Sequence, residues 1–98
     1  MAASGSRKIH DLSGTIATGG TAQALAAANE LHTGYSVYNA SAGNLFINDV
    51  GGTAVTNGGS SFTLAPGVLY ETPRSLRPTA AISIIGATTS QAFVAREW

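Results

Sequence analysis

The chain has 98 residues, no cysteine, one methionine, two histidines and equal numbers of basic and acidic side chains, five of each. That length makes one domain with no second core, and without cysteine there are neither disulfides nor thiolate metal sites, while two scattered histidines leave little for an imidazole-rich one. Charged residues are 10% of the chain, against about 25% in a typical soluble domain, and their even balance argues against nucleic acid as the main partner.

No apolar run approaches the roughly 18 residues that cross a bilayer. A chain this short buries about 60–65% of its unfolded surface. With disulfides and metals set aside, oligomerisation or docking on a larger assembly is the remaining support. A surface so poor in charge is weakly protected against association and reads as a surface meant to be partly covered.

Residues 1–11 are small and polar, then basic at Arg7 and Lys8, with His10 near the end. They predict a flexible N-terminal arm, either a loose terminus or a segment that orders on a neighbouring subunit. No apolar stretch follows Arg7 and Lys8, so the segment does not match a signal peptide. A single β domain is expected over 12–98. Residues 12–17 alternate weakly and stop at Gly19-Gly20. Residues 21–28 are rich in alanine, which favours helix, yet hold one large apolar residue, Leu25. They read as strand into turn, with one helical turn over 26–30 as the alternative.

Residues 34–40 and 44–48 are filled with β-branched and aromatic side chains around Ser41-Ala42-Gly43, which predicts a hairpin. Period-two alternation puts Tyr35, Val37, Leu45 and Ile47 on an inner face. Residues 49–60 form a glycine-rich loop, with room for a short strand at Ala54-Val55. Residues 61–65 read as a strand and 68–72 as its hairpin partner across Pro66-Gly67, a type II turn signal. Two prolines make 73–78 a loop carrying Arg74 and Arg77. Residues 80–85 are the most apolar strand, 86–90 turn the chain, and 91–96 close the fold. About eight short strands at this spacing predict a β-sandwich or small barrel, and a small β-sandwich of jelly-roll type is the expected fold.

No set of residues is arranged for chemistry. His10 and Asp11 are sequence neighbours, and neighbours on a strand point to opposite faces. No serine stands in a nucleophile elbow. The five acids, Asp11, Glu30, Asp49, Glu71 and Glu97, are spread along the chain rather than paired for acid–base work. The glycine pairs lack the Lys-Ser/Thr and the strand-to-helix setting of a phosphate loop. No catalytic, cofactor-binding or metal-ligating residue is assigned. Arg74 and Arg77 are solvated or face a partner, where the guanidinium fork suits carboxylates. Asn39-Ala40-Ser41 matches a glycosylation triplet by coincidence. Trp98 carries too much apolar area to be left in water, so it packs on its own domain or on a neighbour.

Three stretches carry a likeness to a known family. They are Gly19-Gly-Thr-Ala-Gln-Ala-Leu-Ala-Ala-Ala-Asn29, Asn39-Ala-Ser-Ala-Gly-Asn-Leu-Phe-Ile-Asn48 and Ser83-Ile-Ile-Gly-Ala-Thr-Thr-Ser-Gln-Ala-Phe-Val-Ala-Arg-Glu-Trp98. Together they resemble small virion-associated β proteins encoded by tailed bacteriophages and prophages, over roughly residues 12–98. The resemblance implies no enzyme but a virion structural protein made in the host bacterial cytoplasm. It would act as a decoration or cement protein on the capsid surface, bound to the major capsid protein and to itself as a homodimer or homotrimer, with no nucleic acid or membrane partner.

The expected contacts are Arg7, Lys8 and His10 of the arm, Arg74 and Arg77 of the loop, and Arg96 and Trp98. A tail, baseplate or head-fibre component is the alternative within the virion. A carbohydrate-binding module is the alternative outside it, with Tyr35, Tyr38, Tyr70 and Trp98 as stacking candidates beside Asn48 and Asp49.

Overall fold

The computed structural model describes residues 9–56 and 58–98. They form nine short strands: β1 (His10–Asp11), β2 (Gly14–Thr15), β3 (Gln23–Ala26), β4 (Tyr35–Asn39), β5 (Leu45–Asn48), β6 (Phe62–Leu64), β7 (Leu69–Glu71), β8 (Ile82–Gly86) and β9 (Ala92–Glu97). No helix occurs among the described residues. The strands make two antiparallel sheets. The first has the order β1-β9-β4-β7, with β2 also on β9, and the second has the order β3-β8-β5-β6. This is the expected β-sandwich, and the way the chain crosses between sheets is jelly-roll-like.

The expected eight strands become nine because one edge strand is interrupted. β1 and β2 share one register along β9, with Asp11 opposite Arg96 and Gly14 opposite Phe93. Between them the Leu12 N–H donates to the Ala95 carbonyl at 2.8 Å. The Ala95 N–H is taken by the Ser13 hydroxyl at 3.0 Å, where a regular ladder would use the Leu12 carbonyl. Pairing begins at His10, so the last two residues assigned to the arm belong to the sheet. Arg7 and Lys8 lie outside the described residues.

Alternation builds the core. Tyr35, Val37, Leu45 and Ile47 are buried, together with Ile16 just after β2, Ile82 and Ile84 of β8, and Phe93 and Ala95 of β9. Residues 21–28 resolve as the strand β3 without a helical turn. A bulge there, between Ala24 and Ala26, accompanies burial of the consecutive Leu25 and Ala26.

Two expected hairpins are not hairpins. β4 lies in the first sheet and β5 in the second, and β6 and β7 are likewise divided. Both connections are arches that carry the chain from sheet to sheet. Alternation is blind to this difference, because hairpin and arch alike turn the same side chains inward. Polar side chains decide it. Asn39 is fully buried. Its Nδ2 donates to the carbonyls of Gly43 (2.8 Å) and Leu64 (2.7 Å), while its Oδ1 accepts from the Ser41 N–H (2.9 Å) and hydroxyl (2.7 Å). The arch over 40–44 is wound around that one amide.

Buried Gln91 ties the same arch to the turn after β8. Its Nε2 donates to the Ser41 hydroxyl and the Asn44 carbonyl, both at 3.1 Å, and its Oε1 accepts from the Thr88 N–H at 2.9 Å. The β6–β7 arch uses the expected type II turn. Gly67 has φ +77°, and the Val68 N–H returns to the Ala65 carbonyl at 3.1 Å.

The glycine-rich loop contains no strand at Ala54-Val55. Instead it lies on the outer face of the second sheet. The Ala54 N–H donates to the Ser83 hydroxyl at 3.0 Å, and Ser83 alternates with the inward Ile82 and Ile84. Ala54 is 1% exposed. Asn48 starts this loop, accepting on Oδ1 from the N–H groups of Val50 and Gly52.

Candidate interaction surface

Among the described residues, the outer face of the first sheet has no such cover. On β4, Tyr35, Val37 and Asn39 point inward, which turns Ser36 and Tyr38 outward. Register then fixes their neighbours. Tyr38 stands between Leu69 of β7 and Val94 of β9. Side by side across three strands, Leu69 is 59% exposed, Tyr38 39% and Val94 44%. One step along the strands, Ser36 stands between Glu71 and Arg96, and Asp11 of β1 follows beyond Arg96. An apolar row therefore runs beside a charged one. Among the described residues neither Arg96 nor Glu71 has an opposite charge within 4.0 Å, the ion-pair contacts being those of Glu97 alone.

The contact residues expected from sequence separate into places. His10, Arg96 and Trp98 lie at one end of the first sheet. The 73–78 loop leaves that same end, where Thr72 is hydrogen-bonded in both directions to the Tyr35 backbone. Arg74 and Arg77 are exposed on it. Trp98 packs on its own domain. Its indole covers Gly34, where a Cβ would come within 2.7 Å of the ring, and its backbone is hydrogen-bonded to Gly34 in both directions.

Nothing in the sequence marks Glu71, Leu69 and Val94 as neighbours of Tyr38. The only trace is an apolar side chain at a strand position whose alternation faces water.

The two histidines converge on one carboxylate. Nδ1 of His10 is 3.8 Å from Glu97 Oε2, and Nε2 of His32 is 2.8 Å from Oε1. Glu97 Oε1 is buried, and among the described residues it has no hydrogen-bond partner besides this close approach of His32. Among the described residues no three His, Cys, Asp or Glu side chains are grouped so as to hold a metal.

Of the aromatic candidates for a sugar site, Tyr35 and Tyr70 come together beside Asp49 and are packed with the core, whereas Tyr38 lies on the outer face and Trp98 on Gly34. Tyr35 is buried, with its hydroxyl donating to Asp49 Oδ2 at 2.7 Å. Burial first, and then that carboxylate, pushes the Tyr35 hydroxyl far above the ordinary tyrosine range. Tyr70 packs between Tyr35 (centroids 5.6 Å apart) and Phe62 (4.7 Å), and is raised in the same direction by burial and by Asp49. Tyr38 alone of the three tyrosines sits on an open sheet face. Compared with protein-family models, curated proteins and solved structures, the chain matches none of them.

Proposed function

We propose that this protein is a bacteriophage virion component that decorates or cements the capsid, bound to the major capsid protein on the outside of the head. One observation carries this reading. The outer face of the first sheet exposes the contiguous apolar row Leu69, Tyr38 and Val94 in a chain with very little charge. A contiguous apolar row on an open sheet face suits cover by another protein. The phage-family likeness of the sequence supplies the setting.

The work would be mechanical. Many modest contacts, repeated at lattice positions, add through multivalency and hold the shell. The end of the first sheet where His10 and the 73–78 loop with Arg74 and Arg77 gather would supply the polar contacts to the capsid subunits.

Quantitative mass spectrometry of purified virions tests this. The expected result is a ratio to the major capsid protein near one or a simple lattice fraction of it. A ratio of about one-hundredth would move the chain to the tail, baseplate or a head fibre. Absence from the particle would end the virion reading.

A further inference from the structure

We infer that the outer face of the first sheet binds a second copy of this chain, in a two-fold dimer whose axis runs along β4. This rests on the reading above that the face is covered in an assembly, and it names the occupant. The basis is the register of the three strands. β7 and β9 flank β4 at equal spacing, about 5 Å, and both run antiparallel to it. They therefore run in the same direction as each other.

A half-turn about a line parallel to β4 keeps strand direction and exchanges the flanks. Laid face to face this way, each copy sets its β9 over the other's β7. Residues at the same level of β4 then meet. Tyr38 faces Tyr38 of the second copy at the centre. Val94 faces Leu69, since both are register partners of Tyr38. Arg96 faces Glu71, since both are register partners of Ser36.

The face is thus complementary to itself in both respects. It offers apolar to apolar along one row and cation to carboxylate along the next, twice over by symmetry. Arg96 and Glu71 have no ion-pair partner among the described residues, so the dimer would supply one for each. The alternative two-fold axis, at right angles in the interface plane, lacks this property. Set through Tyr38, it lays Arg96 over Ala92 and Glu71 over the Gly67 turn, which continues the same register, so neither charge meets an opposite one.

The contact is small, three strands wide and a few residues long. It falls at the low end of interface sizes, for which a dissociation constant of roughly 10–100 µM is expected. On a capsid, where neighbouring copies are held close, an affinity of that order suffices. The dimer would present two copies of the loop end to the lattice.

Sedimentation equilibrium of the full chain up to about 1 mM, well above the expected constant, tests the dimer with four proteins: unaltered, Arg96→Glu, Glu71→Arg and the double swap. Each single swap sets like charges together at two symmetric places and is expected to weaken the dimer at least about tenfold. The double swap restores the pairs and is expected to return to within about threefold of the unaltered protein.

Both positions are exposed, so unchanged circular dichroism is expected for all four. The milder Arg96→Gln and Glu71→Gln each weaken the dimer in the same direction. A monomer throughout, a dimer indifferent to single swaps, or a double swap that fails to recover would overturn the inference. A monomer abundant in virions removes this dimer and leaves decoration standing. A rescued dimer absent from virions does the reverse.

Discussion

Replacing Asn39 with alanine removes the side chain around which the β4–β5 arch is wound. Four hydrogen bonds go with it, at 2.7–2.9 Å. The Ser41 groups lie near the surface, and water takes over most of their bonding. The Leu64 carbonyl is buried and has no such substitute, so it bears a desolvation cost of about 1–3 kcal/mol. The Gly43 carbonyl and the lost packing add about 1 kcal/mol more. The expected total is about 3 kcal/mol, out of the roughly 5–15 kcal/mol that hold a domain of this size.

In urea, with a slope of about 1.5 kcal/mol per molar, the unfolding midpoint falls by about 2 M. Asn39→Asp separates the roles of the two amide ends. It keeps the acceptor for Ser41 but turns a carboxylate oxygen toward the Gly43 and Leu64 carbonyls. At pH 7 it is expected to be less stable than the alanine variant. It recovers relative to the unaltered protein as pH falls toward 4, because protonation removes the buried charge and restores one donor. An alanine variant that loses less than about 1 kcal/mol, or an aspartate variant with no pH-dependent recovery, would refute the reading that this amide holds the arch.

Gly34→Ala should displace the Trp98 indole, because the new Cβ would sit within 2.7 Å of the ring. Trp98 is the single tryptophan, so a red shift of the protein's emission maximum reads the displacement directly, and an unchanged spectrum would contradict the packing. Alkaline stability follows from Tyr35. Its hydroxyl is raised far above the ordinary value near 10, so above pH 10 the unfolded chain releases a proton that the folded one keeps. Stability is therefore full below pH 10 and falls above it, by about 1.4 kcal/mol per pH unit for each such tyrosine. Urea midpoints measured from pH 8 to pH 11 check this, and Tyr35→Phe should flatten the decline.

Much of the architecture was legible because it follows from local chemistry. Alternation marked Tyr35, Val37, Leu45 and Ile47 as inward, and Pro66-Gly67 marked a type II turn. Both are set by the backbone of a few consecutive residues. The spacing of apolar segments indicated a sandwich and nearly its number of strands. The departure came from Ser13, whose hydroxyl takes the Ala95 N–H and splits one edge strand into two. The alanine-rich 21–28 stretch had to be decided between strand and helical turn. Pairing with β8 across the sheet decides it, and no local propensity records such pairing.

Sheet membership was not legible. A hairpin and an arch bury the same side chains, so the sequence around Ser41-Ala42-Gly43 fits both. The choice rests on Asn39 reaching the carbonyl of Leu64, 25 positions away, a contact that exists only once the sheets are packed. The meeting of His10 and His32 at Glu97 depends in the same way on β9 lying beside β1 and β4. So does the row of Leu69, Tyr38 and Val94. Each residue's outward direction follows from its own strand's alternation. Their adjacency comes from three strands distant in the chain that share one register. The sequence by itself determined which faces are apolar, where the chain turns, and that the interior is that of a small β-sandwich. Tertiary structure alone decided which strands are neighbours, because long-range hydrogen bonds and interlocking core side chains select one pairing among many that satisfy the same alternation.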